Sequence, residues 1–188
     1  KEELDEKINF CFLFEYGTES LKRYHYIYEA KSEKDIHNAI KLFSEVLKIN
    51  PNHKFSYYFR GISKKNLKDY KSALDDIKMA IFLDEKFAPA YNGLGQVKEC
   101  LKNYKDAISD FTKAIEIDPN YAFAYHSRGV AKQNLEDYEG AISDYTKAIE
   151  IEPNSASTYN NRGNAKINLM DYEGAISDYT KAIEIEPN

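Results

Sequence analysis

The side chains best suited to acid–base chemistry recur at one fixed interval along the chain. Asp110, Asp144 and Asp178 follow one another at a spacing of 34 residues. Catalysis by two carboxylates needs a pair whose environments hold their pKa values apart. Residues that recur once in each copy of a repeated segment do not form such a pair by their spacing alone. The carboxylates therefore do not predict a catalytic site.

Histidine, cysteine and serine give no catalytic motif either. The sequence has no Gly-rich phosphate loop and no HExxH, and no local motif places a Cys or Ser with a His. The two cysteines, Cys11 and Cys100, are far apart and have no Cys or His at metal-ligand spacing. We therefore expect neither an enzyme nor a bound metal or cofactor. The four histidines are more typical of surface positions than of ligands: His25, His37, His53 and His126.

The charge of the chain is unevenly distributed. The formal net charge is -5, and residues 88–188 carry 10 Lys and Arg against 16 Asp and Glu. Binding to a nucleic-acid backbone relies on clustered Lys and Arg, so we expect no nucleic-acid partner. No segment has the roughly 18 consecutive apolar residues of a membrane-spanning helix, so we expect no membrane association. Free thiols suit a reducing compartment, and we expect a cytoplasmic protein.

The chain is built from a repeated segment of 34 residues. The stretches 129–154 and 163–188 span 26 positions and differ at only three of them. Pro51, Pro119 and Pro153 fall in the same register. A repeat of this period indicates a stack of one supersecondary unit, in which neighbouring copies bury a continuous core.

Each copy of the repeat is expected to form two helices. In the copy 122–155, one run of apolar side chains at helical spacing precedes Asp137 and another follows it. Asp137 stands where the second helix needs an N-cap. Gly129 recurs in the first helix of four copies, and because glycine weakens a helix, close packing against the second helix is the expected compensation. The same capping role is expected of Asp35, Asp69 and Asp171.

Seven positions of the repeat together closely resemble the tetratricopeptide repeat. The resemblance implies an all-α fold, an α–α superhelix in the form of a right-handed solenoid of helix–turn–helix repeats. One departure is a lysine, such as Lys132, where the family often has Tyr. In the fourth copy the seven positions are Tyr125, Gly129, Tyr138, Ala141, Tyr145, Ala148 and Pro153. The five implied repeats are 20–53, 54–87, 88–121, 122–155 and 156–188.

The resemblance also implies where a partner binds. In tetratricopeptide arrays the first helices line a concave groove that receives an extended peptide or a partner helix. Here it places aromatic side chains in the first half of the groove and mainly amides in the second half. Amides donate and accept hydrogen bonds, which suits a ligand main chain, and aromatic pockets can anchor side chains. The expected groove residues are Tyr24, Tyr28, Phe55, Tyr58, Asn92, Gln96, His126, Asn160, Asn161 and Asn164.

Structural explanations compete for several of these residues. Tyr24 and Tyr28 could pack against an extra N-terminal helix, and the Asn side chains could be solvated helix surface. Arg60, Arg128 and Arg162 share one repeat position, and pairing with acidic residues of the adjacent helix is the stronger interpretation for them.

The two ends of the array lead to separate expectations. Residues 1–19 fit no repeat, and we interpret them as a capping helix over the exposed end of the first copy. Tyr172, Ile176 and Tyr179 lie on a helix face that a following repeat would cover. We expect either that the natural protein continues beyond residue 188 or that this end stacks on a second copy.

These features predict a non-catalytic protein–protein interaction scaffold that binds a protein or peptide ligand. One alternative is a targeting or regulatory repeat arm of a larger enzyme or signalling protein. A helical repeat that binds RNA is less favoured because residues 88–188 are acidic. Binding of acidic chaperone tails is also disfavoured, because the family's clamp combines Lys and Arg with Asn, and the corresponding positions here include no cation. From the third copy on, these positions are Asn92, Gln96, Ser127, Ser157 and Asn161.

Overall fold

The computed structural model describes residues 32–187. Within this range the chain forms nine α-helices and no β-strand, and it divides into two compact units between residues 85 and 86. The expected capping helix lies outside the described residues. The first unit contains α1 (Glu33–Ile49), α2 (Lys54–Asn66) and α3 (Tyr70–Leu83). The second unit contains α4 (Ala88–Cys100), α5 (Tyr104–Ile117), α6 (Ala122–Asn134), α7 (Tyr138–Ile151), α8 (Ala156–Asn168) and α9 (Tyr172–Ile185).

Consecutive helices pack on one another within each unit. The pairs α2 with α3, α4 with α5, α6 with α7 and α8 with α9 each form a helical hairpin. Helix α1 also packs on α2, α5 on α6, and α7 on α8, so hairpins within a unit stack on the helix before them. Each unit is therefore an all-α helical repeat, as the resemblance implied. The helices α2, α4, α6 and α8 are called first helices below, and the others second helices.

Side-chain caps start several second helices. The carboxylates of Asp69, Asp137 and Asp171 each accept a hydrogen bond from the main-chain N–H three residues further on. These three predicted N-caps are confirmed. The prediction for Asp35 was wrong, because Ser32 is the N-cap of α1 and its Oγ donates to the Asp35 carboxylate at 2.5 Å. The serine hydroxyl allows α1 to begin two residues before Asp35.

A left-handed residue follows each first helix in the described part of the chain. Lys68, Lys102, Glu136 and Met170 have φ between 60° and 64°. A side chain at such a φ crowds the main chain, and glycine takes this conformation without that cost. The repeat therefore turns sharply between its helices with some backbone strain at one position.

Glycine brings the two helices of a hairpin close together. A Cβ built on Gly129 would lie 2.7 Å from Cε1 of Tyr145, which is shorter than real Cβ contacts. A Cβ on Gly61 would lie 2.7 Å from Cγ1 of Ile77 in the same register. The predicted role of these glycines in close packing is confirmed. The residue they pack against is the large apolar side chain in the middle of the second helix.

Tyr145 shows how such a side chain is accommodated. Its ring is fully buried, and its hydroxyl donates a hydrogen bond to Oε1 of Gln133 at 3.0 Å. Burial, together with the nearby carboxylates of Glu99 and Asp144, raises the pKa of Tyr145 above its ordinary value. The side chain therefore stays neutral and joins α6 to α7.

Candidate partner-binding site

An arginine at one repeat position connects three helices. Nε and Nη2 of Arg128 on α6 donate to the two carboxylate oxygens of Asp144 on α7, at 2.9 and 2.6 Å. Nη1 donates to Oγ1 of Thr112 on α5 at 3.0 Å. The guanidinium also lies 5.6 Å from the ring centroid of Tyr125. All these interactions are internal to the array, so this arginine positions helices.

The same arrangement recurs in two other copies. Arg60 pairs with Asp76, and Arg162 pairs with Asp178, each through two hydrogen bonds. The structural interpretation of these arginines is confirmed. In α4 the position is taken by Leu94, which is buried.

The paired carboxylate receives a second cation. Lys132 Nζ lies 2.8 Å from Oδ2 of Asp144, and Lys166 Nζ lies 2.8 Å from Oδ2 of Asp178. Burial alone would raise the pKa of Asp178, but the hydrogen bonds from Arg162 and Lys166 outweigh it and hold that pKa below its ordinary value. The lysine that departs from the family pattern is thus part of the same network.

Two aromatic residues of the expected groove, Phe55 and Tyr58, lie in the described part of the first unit. The other two, Tyr24 and Tyr28, lie outside the described residues. Phe55 is half-buried and packs against the cluster of Ala39 and Phe43. Tyr58 is buried. Burial leaves Tyr58 little surface for a ligand, whereas Phe55 keeps part of its ring accessible.

Phe55 also forms part of a cation site that the chain fills itself. Nζ of Lys54 lies 2.5 Å from Oδ2 of Asp84 and 5.0 Å from the centroid of the Phe55 ring. The ammonium group is therefore held between a carboxylate and an aromatic ring. This arrangement joins the start of α2 to the residue that caps the end of α3.

The polar part of the expected groove lies in the second unit, where α6 contacts both α4 and α8. Asn92 on α4 is only 3% exposed, and its Oδ1 has no hydrogen-bond partner between residues 32 and 187. Gln96, one turn further along α4, is half-buried. Asn92 therefore cannot reach a ligand in this conformation, and Gln96 can do so in part.

His126 on α6 makes specific contacts with α8. Its Nδ1 lies 2.9 Å from Oγ1 of Thr158, and Nδ2 of Asn161 lies 3.4 Å from its Nε2. Thr158 in turn bonds to Oγ of Ser155 at 2.7 Å. Burial lowers the pKa of His126, so the ring is neutral at pH 7. The structure thus brings two expected groove residues, His126 and Asn161, together at the junction of two first helices.

The remaining expected amides lie on the surface of α8. Asn160 and Asn164 are both exposed. Oδ1 of Asn164 accepts a hydrogen bond from the hydroxyl of Tyr179 at 2.7 Å, which leaves its Nδ2 available as a donor. Together with Asn161 these side chains form what we call the amide surface of α8, defined by Asn160, Asn161 and Asn164.

A small cavity lies beside His126 and involves residues that were not among the expected groove residues. Its volume is about 60 Å³. Phe123 and Glu152 line it, and the signal that could have identified them is their register, two copies after Phe55 and Asp84. The other lining residues are Ala122, His126, Ala148, Ser155, Ser157 and Thr158.

The outer face of α9 is apolar and exposed. Helices α7 and α9 have identical sequences, but α8 packs on α7. Ile142 on α7 is half-buried, whereas its counterpart Ile176 on α9 is 65% exposed. Tyr172 and Ile183 are exposed beside it, while Tyr179 is half-buried.

The described residues contain no cluster of three or more His, Cys, Asp or Glu side chains that could hold a metal ion. Among the helices between residues 32 and 187, none is both long and apolar enough to span a membrane.

Family models together match residues 88–188, which include every described helix of the second unit. Two descriptions, "Tetratricopeptide repeat" and "TPR repeat", account for the matches. No curated protein sequence matches the chain. The models described as "Tetratricopeptide repeat" match 88–121, 111–143 and 156–188, and the model described as "TPR repeat" matches 134–169.

Solved structures show the same architecture. A crystal structure of MamA is 26% identical, with a TM-score of 0.70, covering 90% of this chain and 95% of MamA. TTC0263, a thermophilic tetratricopeptide protein of Thermus thermophilus, is 20% identical with a TM-score of 0.74, covering 82% and 85%. YrrB, described as a tetratricopeptide protein with an unusual peptide-binding site, is 23% identical with a TM-score of 0.64, covering 82% and 80%. The repeats, the family models and these folds agree, and the chain belongs to the tetratricopeptide repeat family.

Proposed function

We propose that this protein is a non-catalytic scaffold that binds a peptide or partner helix along the first helices of its second unit. The observation that supports this most directly is the amide surface of α8 beside His126. Exposed amides on a rigid helix can hydrogen-bond to a ligand main chain whatever the ligand's side chains are. Other faces of the same hairpins carry ion pairs between Lys and Glu, such as Lys147 with Glu150, which are typical of solvated surface.

The hydrogen bonds around His126 orient the amide surface. Nδ2 of Asn161 is directed to the imidazole, so its Oδ1 is left to accept a main-chain N–H from the ligand. Nδ2 of Asn164 is left to donate to a main-chain carbonyl, because its Oδ1 is already bonded to Tyr179. One acceptor and one donor one turn apart match the alternation of groups along an extended peptide.

The aromatic contribution of the first unit stays a prediction. Phe55 is the described residue that can supply an apolar contact, and Tyr24 and Tyr28 retain their proposed role in the groove. We also propose that the scaffold works in the cytoplasm, since Cys100 carries an exposed free thiol that suits a reducing compartment.

A peptide selection followed by mapping tests this function. Peptides selected from a random library on the 1–188 chain should shift the backbone and amide side-chain NMR signals of α4, α6 and α8. Shifts confined to the second helices, or a library that yields no binding peptide, would contradict groove binding. The alternatives have separate tests. An RNA ligand would bind with steep salt dependence. A targeting or regulatory repeat arm would require that the natural protein carries an enzyme or signalling domain in the same chain.

A second proposal concerns the exposed face of α9, formed by Tyr172, Ile176 and Ile183. Because the counterparts of these residues on the identical helix α7 are half-buried, and α8 packs on α7, we propose that α9 takes part in end-to-end self-association with a second copy. Sedimentation of the parent and of an Ile176→Lys variant over a range of concentrations tests this. A parent that stays monomeric at high concentration would rule self-association out.

A further inference from the structure

The cation site of the first unit has a counterpart in the second. In the repeat 54–87, the ammonium group of Lys54 sits against the carboxylate of Asp84 and over the ring of Phe55. A carboxylate and an aromatic face attract a cation through its charge and through the ring quadrupole. In the first unit, therefore, a carboxylate and an aromatic ring at these two repeat positions hold an ammonium group.

The repeat 122–155 also has an aromatic ring and a carboxylate at these two positions, but it lacks the lysine. Phe123 stands in the register of Phe55, and Glu152 in the register of Asp84. The position of Lys54 is occupied by Ala122, whose side chain ends at Cβ.

Two other copies do not share the aromatic group. The residue in the register of Phe55 is Pro89 in the third copy and Ser157 in the fifth. Among these repeats, the fourth alone combines an aromatic ring, a carboxylate and an alanine at the three positions.

The place left by the missing lysine is open. Ala122, Phe123 and Glu152 all line the cavity of about 60 Å³ beside His126. About 10–15 Å³ of such volume is enough to hold one water molecule, so the cavity can admit an ammonium group with its last methylenes. The ring of Phe123 is 54% exposed, and Glu152 has no ion-pair partner among residues 32–187. The ring and the carboxylate are therefore both available to a ligand from outside the chain.

We propose that this cavity binds the ammonium group of a lysine side chain carried by the partner peptide. This inference rests on the proposed function, since it names one side chain of the ligand that the amide surface holds by its main chain. The Glu152 carboxylate pairs with the ammonium group, and the Phe123 ring covers its methylenes. Hydroxyl oxygens of Ser155 and Ser157 offer further acceptors at the cavity wall.

The electrostatic surroundings favour a cation. Glu152 is the C-cap of α7, and the carbonyl end of a helix carries partial negative charge. His126, the one other titratable side chain lining the cavity besides Glu152, has its pKa lowered by burial and adds no positive charge near neutral pH. The excess of 16 acidic over 10 basic residues in 88–188 attracts a basic ligand over a longer range.

Titration of the free 1–188 chain with n-butylammonium chloride tests the site without any peptide. We expect saturable shifts of the Ala122 methyl and Phe123 ring NMR signals at millimolar ligand. Neutral n-butanol should leave these signals unchanged. In Glu152→Gln, binding should weaken on the order of tenfold, because the charge pair is lost while the fold is kept. Equal shifts with n-butanol, or unchanged affinity in Glu152→Gln, would overturn the proposal.

Filling the cavity from the chain itself gives a second test. Ala122→Lys places a lysine beside Phe123 and Glu152, as Lys54 stands beside Phe55 and Asp84 in the first unit, so it should abolish the shifts caused by n-butylammonium. Ala88→Lys is the matched control, because the third copy has Pro89 where the aromatic ring is needed. If both variants keep their melting temperature and Ala122→Lys still binds the amine like the parent, the cavity does not hold the ammonium group.

A third arm distinguishes a lysine of a peptide from a free amine. Nα-acetyl-lysine methylamide carries the same ammonium group with two amide groups that the α8 surface can bond. Tighter binding than n-butylammonium, with the difference lost in Asn161→Ala, supports a peptide source. Equal binding of both probes overturns the assignment to a peptide. Because the probes contain no selected peptide, a failure here is distinct from a failure of the peptide selection.

Discussion

The guanidinium of Arg128 holds the carboxylate of Asp144 through two hydrogen bonds and at the same time donates to Thr112 on the preceding second helix. One side chain thereby joins both helices of a hairpin to the helix before them. The bidentate geometry depends on the planar fork of a guanidinium, which a lysine in place of Arg128 would not reproduce. Stacking of the repeats depends on polar contacts of this kind as well as on apolar packing.

Removing the arginine should strongly destabilise the second unit. Arg128→Ala leaves Asp144 buried with only Lys132 as a cationic partner, and breaking such a pair costs about 3–5 kcal/mol. Urea denaturation followed by circular dichroism measures the loss. Lys147→Ala, which removes an exposed ion pair, is the control and should cost less than about 1 kcal/mol. Similar losses in both variants would show that Arg128 contributes only as a surface charge.

A side chain in place of glycine should force the hairpin apart. Gly129→Leu must displace Tyr145 or separate α6 from α7, and overpacking of this kind costs about 1–3 kcal/mol. Thermal unfolding of the variant measures the effect. Ser143→Leu, at an exposed position of α7, is the comparison. A Gly129→Leu variant that melts with the parent would refute the close contact with Tyr145.

Relief of the left-handed turn should stabilise the chain. Glu136 has a φ of 64°, and Glu136→Gly removes the crowding of its Cβ at a gain of about 0.5–1 kcal/mol after the added entropy of the unfolded chain. Glu139→Gly, in the first turn of α7 where glycine weakens the helix, should lower stability by about 1 kcal/mol. Chemical denaturation of both variants gives the comparison. Equal destabilisation by both glycines would contradict strain at Glu136.

Acid should weaken the contact between α8 and α9. The pKa of Asp178 is lowered in the folded chain, so its contribution is complete above the ordinary carboxylate pKa near 4 and is lost as the pH falls through the lowered value. Unfolding measured from pH 7 to pH 2 should show this loss in the parent. Asp178→Asn should be less stable at pH 7 and less sensitive to acid, whereas Glu173→Gln, on the same helix, should follow the parent. An Asp178→Asn variant with the parent's acid sensitivity would exclude this carboxylate as a source of the stability lost at low pH.

The helices and their polar links could be predicted from the sequence, because they repeat. The repeated positions predicted Asp137 as an N-cap and predicted that Arg128 pairs with an acidic residue of the adjacent helix. Ser32 was missed as the cap of α1, since the first copy departs from the repeat and a local serine competed with Asp35. Departures from the repeat are therefore where sequence patterns lose their predictive value.

The candidate site could be predicted only in part. Periodicity shows which face of a helix a residue occupies, but burial depends on what the neighbouring copy places opposite. Asn92 and His126 share one register, yet Asn92 is buried without a partner for its Oδ1 in the described part of the chain, whereas His126 bonds to Thr158. The residue in the register of Thr158 is Ala124 in the copy that follows Asn92, and it has no polar atom to offer. Contacts of this kind involve two copies at once and are not visible in either alone.

The most direct test of the central proposal is the dissociation constant of a selected peptide for an amide-surface variant. Asn160→Ala combined with Asn164→Ala removes two exposed amides of α8. The matched control, Asn134→Ala, removes an exposed amide whose Nδ2 bonds to the carbonyl of Val130 in its own helix. We expect the double variant to bind the peptide on the order of tenfold or more weakly, at about 1.4 kcal/mol per factor of ten, and the control to bind like the parent. Unchanged affinity in the double variant, with melting and helicity equal to the parent, would contradict binding at this surface.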